Sequence, residues 1–202
     1  MPYKDFDISK VKDKFELTLV EDECFLPEIE PVSPSSYIAE YLKESIPLAI
    51  AMGSGKARSE LIISPIIFEL KKFLNKEISF FSGEEFNVDE SLGLTGCCDF
   101  VVSLSPEQLF IEAPALVIIE AKKENFKDAL GQCIAQMVAA QKFNSINDES
   151  ISIIYGSVTN GNLWSFLKLE EDIVTVDFTE YSILPVERLL GILVWMMRDG
   201  LD

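Results

Sequence analysis

Histidine is absent from this chain of 202 residues. Its absence excludes Ser-His-Asp and Cys-His catalysis, His-ligated zinc and imidazole general bases. Chemistry must come from carboxylates, Lys, Cys, Tyr or amides. Positive charge is also scarce: 17 Lys and Arg stand against 34 Asp and Glu, for a net charge of -17 and a pI near 4.3. That balance excludes broad nucleic-acid coating. Cys24, Cys97, Cys98 and Cys133 have no CxxC spacing, so no zinc site is expected. They read as reduced, mostly buried thiols of a cytoplasmic protein, with Cys97 and Cys98 on opposite faces of a strand. The longest apolar run, Leu189 to Met197, is far short of the roughly 20 residues that span a bilayer. It reads as a buried or interface helix, and no membrane partner is expected. The N-terminal stretch lacks the apolar segment of a signal peptide.

What is present is an ordinary folded composition, 48% hydrophobic and 25% charged, on a length that suits one domain. Residues 1–50 read as an acidic N-terminal extension with a short helix from Ser33 or Ser35 to about Lys43, and 51–202 as the main domain. ARSELIISPIIFELKKFLN reads as a long, largely buried helix in which Pro65 marks a kink or a start. ISFFSGEEFNV, GCCDFVVSL and LVIIEAK read as strands. A helix over Asp128–Phe143 turns Ile134, Met137, Val138 and Ala140 inward. SIIYGSVTNG and NLWSFLKL follow as two strands around an Asn160-Gly161 turn, then the strand DIVTVDF and a helix over Val186–Arg198. The order implies a mixed α/β fold with a helical crossover between strands. GSGK at 53–56 is not a phosphate loop, because Ile50 and Ala57 stand where Gly and Ser or Thr belong.

An ionised group on an apolar strand is expensive unless it is paired or binds a cation. Glu120 follows the four-residue apolar run Leu116–Ile119, and a period of two puts it on one face with Lys122. Asp99 begins another apolar strand. If the two strands pair, two carboxylates and an ammonium converge at strand ends, where α/β sheets build sites. Such hard oxygens suit Mg2+ or Mn2+. The plain alternatives stay open: an ion pair within the sheet for Glu120 and Lys122, a turn carboxylate for Asp99, a cap or Lys56 pair for Glu60, and a solvated stripe for Gln132 and Gln136.

Asp99 followed by Glu120-Ala121-Lys122, with Glu60 in KARSELIISPI, Gln132 in LGQCIAQM and the VTNGNLWSF hairpin, resembles the PD-(D/E)XK superfamily of restriction-endonuclease-like proteins. The resemblance runs from about Lys56 to Asp177. More closely, KARSELIISPI, FSGEEFNVDE, GCCDF, APALVIIEAK and LGQCIAQM resemble a bacterial family of uncharacterised single-domain proteins similar to type I restriction enzyme nuclease domains. One departure is Cys98, where the superfamily motif has Pro. The resemblance implies a three-layer α/β/α fold with a central mixed sheet of about five strands. It implies metal-dependent hydrolysis of nucleic-acid phosphodiesters, in restriction, repair or DNA processing. Asp99, Glu120 and the Ala121 carbonyl would hold Mg2+ or Mn2+, and Lys122 would position or help deprotonate the attacking water. Glu60 would orient a metal-bound water or a second ion, and Gln132 would orient Lys122 or a phosphate. Lys56, Arg58 and Lys123 are candidates for nucleic-acid contact.

The competing expectation is an inactive member of the same fold that binds a partner protein through the acidic extension and the C-terminal helix. Residues 56–72 sum to +2 and 120–145 to +1, which leaves room for a locally basic active face. Nucleic acid, DNA first, is therefore expected to bind weakly to the chain alone. A partner subunit supplying affinity and a homodimer through 189–197 both remain open.

Overall fold

The computed structural model describes residues 2–21, 23–121, 126–149 and 151–200. Among these residues seven strands form one mixed sheet: β1 (Thr18–Glu21), β2 (Ser79–Glu85), β3 (Cys97–Ser103), β4 (Ala115–Ala121), β5 (Ile153–Thr159), β6 (Leu163–Glu170) and β7 (Ile173–Ser182). Their order across the sheet is β1-β7-β6-β5-β4-β3-β2. β2, β3 and β4 form an antiparallel meander, and β5 then lies parallel to β4. The parallel pair needs a crossover, supplied by α5 (Phe126–Ile146). β6 and β7 continue antiparallel, and β1 closes the far edge parallel to β7. The sheet is larger than the expected five strands. β1 escapes sequence reading because it is a short edge strand inside an acidic stretch.

Helices cover both faces. α2 (Ser36–Met52), α4 (Ser64–Phe73) and α6 (Val186–Asp199) bury one cluster with Phe100, Val102, Ile119, Trp164 and Phe166. α5 buries the other with Val101, Ile118, Ile154, Val158 and Leu167. A helix apolar on all sides must be buried on all sides, and α5 is: nearly every residue from Ala129 to Ala140 is buried. Its outer side is covered by the N-terminal segment. Tyr3, Phe6, Val11 and Leu17, carried by a 3-10 turn, α1 (Ile8–Phe15) and the chain just beyond it, are buried in this cluster. Gly131 permits the approach, since a Cβ there would collide with the Asp7 backbone. The start of the stretch read from the sequence as an acidic extension is therefore packed into this core.

Two other boundaries shift. Ser35 caps α2 as expected, its hydroxyl accepting from the Ile38 amide, but the helix runs through Pro47 to Met52 rather than ending near Lys43. The long helix around Pro65 begins as α3 (Gly55–Arg58), widens into a π-helical turn at Ser59–Ile63, and continues as α4. Proline has no N–H for the α-helical ladder, and the wider turn absorbs the interruption. In α6, Leu189, Leu190, Ile192, Leu193, Val194, Met196 and Met197 are buried within their own chain. The apolar surface that a homodimer through 189–197 would use is thus committed to the core. Among the described residues, no helix is long and apolar enough to cross a membrane.

Candidate active site at the ends of β3 and β4

β4 enters its place under α5 through Asn144. That buried side chain donates to the Ala115 carbonyl (2.7 Å) and accepts from the Ala115 amide (2.8 Å), imitating a strand partner. From this fixed start β4 is buried as far as Glu120. Its backbone pairing with β3 runs from Ser103 opposite Ala115 to Phe100 opposite Ile119. One step past that end, Asp99 Oδ2 accepts the Ala121 amide at 2.8 Å, so the carboxylate takes the place of the next ladder bond. Strict alternation also lapses here, because Cys98 and Val101 both face the α5 cluster. Asp99 and Glu120 are therefore brought to adjoining strand ends, as the sequence implied.

Glu120 is fully buried on the α5 side of the sheet and accepts from Gln136 Nε2 at 3.0 Å. The expected Gln132 lies one turn earlier on α5, also buried. Both glutamines lie inside, which overturns the solvated-stripe alternative. Gln136 is the residue that sequence reasoning underused: its spacing of four from Gln132 was visible, but not which face of α5 meets Glu120.

Glu60 does not join this group. It lies on the π-helical turn packed over the opposite face, is exposed, and pairs with Lys56 at 3.6 Å. Arg58 donates to the Asn160 carbonyl at 2.9 Å and so braces the β5–β6 turn. That turn follows Thr159, which pairs with Ala121, so Arg58 serves the same end of the sheet. Lys122 and Lys123 lie outside the described residues.

The local field is acidic. Burial first, and then the charges of Asp99, Glu120, Glu84 and Glu85, push the Cys97 thiol up. Cys98 and Cys133 are buried and pushed up in the same way, burial leading and Glu120 next. All three thiols stay protonated at neutral pH, so a cysteine nucleophile has no support here. Two of the four cysteines, Cys24 and Cys97, are exposed, fewer buried than expected.

Among the described residues, no group of three or more Cys, Asp or Glu side chains is placed to hold a metal ion. The oxygens at these strand ends are the Asp99 and Glu120 carboxylates, both hard donors. Mg2+ is commonly bound by one or two carboxylates, with water and substrate phosphate filling the other positions. Gln136 Oε1 adds a buried acceptor with no hydrogen-bond partner among the described residues. Hard oxygens in an acidic field suit a divalent cation. No protein-family model matches the chain, and no curated protein matches it.

Proposed function

We propose that this protein is a metal-dependent nuclease of restriction-endonuclease-like architecture that hydrolyses nucleic-acid phosphodiester bonds. The observation that carries the reading is the meeting of Asp99 and Glu120 at adjoining ends of β3 and β4, tied by the Asp99 to Ala121 hydrogen bond. The succession of α4, the β2–β4 meander, the α5 crossover and parallel β5 supports it, since this is the chain order that the resemblance implies. Asp99, Glu120 and the Ala121 carbonyl would hold Mg2+ or Mn2+. The ion supplies an activated water and charge stabilisation for the phosphoryl group. The chain supplies rigidity: the Ala121 amide fixes one carboxylate, Gln136 fixes the other, and buried β-structure surrounds both. Lys122, two residues beyond Glu120, would position the attacking water. Arg58 would keep the β5–β6 turn in place beside β4, and Glu60, if it serves the reaction, must leave Lys56.

A second reading, an inactive fold of the same kind that binds a partner protein, is favoured by the net charge of -17 and the full burial of Glu120. Purified protein with Mg2+ or Mn2+ at low salt, given single- and double-stranded DNA and RNA, separates the two. The nuclease reading expects cleavage that is lost in Glu120→Ala and in Lys122→Ala. Cleavage that survives either substitution overturns the site, and no cleavage of any substrate favours the binding module.

A further inference from the structure

We propose that Gln136 is a positioning residue of this site, setting the direction in which the Glu120 carboxylate faces a divalent cation. The inference rests on reading Asp99 and Glu120 as ligands of that cation. Gln136 is fully buried in the middle of α5, among Cys133, Ala135, Met137, Ala139 and Ala140. A side chain chosen there for packing alone would be apolar like those neighbours, because a buried amide must find partners for both ends. Gln136 satisfies only one end among the described residues. Nε2 donates to Glu120 Oε2 at 3.0 Å, while Oε1 is buried without a hydrogen bond. An amide kept in the core for one contact, with its oxygen left unpaired, is arranged around that contact. A carboxylate has two oxygens that exchange places by rotation about its last bond. A donor fixed on Oε2 removes that freedom and selects one orientation. Ligating carboxylates are ordinarily held by such outer hydrogen bonds, and losing one weakens metal affinity about 10- to 100-fold.

Gln136→Met keeps the length of the side chain and removes the donor. Mn2+ binding to the full chain, read from the free-ion electron paramagnetic resonance signal, is the measurement, with Glu120→Gln alongside. The native chain is expected to bind Mn2+ and Glu120→Gln to lose it. Gln136→Met is expected to bind at least about tenfold more weakly while melting within about 5 °C of the native chain. If Gln136→Met fails to fold, Gln136→Asn, too short to reach Glu120, is expected to show the same loss. Native-like Mn2+ affinity in a folded Gln136 variant overturns the positioning role and leaves the site reading standing. A native chain that binds no Mn2+ overturns both.

Discussion

Removal of residues 1–17 will leave a chain that does not fold cooperatively. The segment brings Phe6, Val11 and Leu17 into the core, each at most 6% exposed. At about 1.5–3 kcal/mol for each fully buried side chain, the loss is roughly 5–9 kcal/mol. Tyr3 adds a buried hydrogen bond from its hydroxyl to the Phe86 carbonyl at 2.6 Å. Domains of this kind are stable by only about 5–15 kcal/mol in all, so the deletion removes most of what there is. It also uncovers the outer side of α5, which is apolar. The assay is equilibrium urea unfolding followed by circular dichroism and fluorescence, comparing residues 18–202 with the full chain. A graded version is Phe6→Ala, expected to cost about 3–5 kcal/mol with the slope of the transition unchanged. A truncated chain that unfolds cooperatively at the midpoint of the full chain would refute the reasoning and return the segment to the status of an appendage.

Asn144→Ala is expected to destabilise by roughly 2–5 kcal/mol in the same urea assay, since it leaves both the amide and the carbonyl of Ala115 without their side-chain partner in the core. Glu69 couples stability to pH: burial opposes its ionisation, but the Ser35 amide and Lys72 outweigh burial and hold its carboxyl below the usual range. A lowered folded-state value means that the contribution is present above the unfolded value, about 4.3, and fades as pH falls through the folded one. Glu69→Gln is therefore expected to be less stable than the native chain at pH 7, with the gap narrowing below about pH 4. Thermal midpoints measured from pH 7 to 3 check this, and a gap constant across the range contradicts it.

The central strands were legible in the sequence because they are buried on both faces and read as continuous apolar runs, as in LVIIEAK. The helix over 128–143 was legible for its strong helix formers and lack of proline. Its depth of burial was not, because covering its outer side depends on Tyr3, Phe6 and Val11, more than a hundred residues away and scattered among charges. The same limit applied at the site. Asp99 and Glu120 stood out as carboxylates in apolar runs, and strand pairing brought them together. Choosing between Gln132 and Gln136 required the rotation of α5 about its axis, which is set by contacts such as Asn144 with Ala115. Glu60 was read from a motif alone, and the π-helical turn before Pro65, a product of local backbone bonding, determines where its side chain emerges.

β1 meets its partner late. Thr18 pairs with Ile173, about 155 residues further along. At roughly 5–20 residues per second of synthesis, the first strand waits about 8–30 s for the last to emerge. During that interval it is an unpaired edge on a nascent chain, the kind of segment that recruits the wrong neighbour. Its brevity and terminal Glu21 limit such pairing. The β1–β7 pairing thus joins segments about 155 residues apart in the chain, and this side of the sheet cannot be completed before β7 has been made.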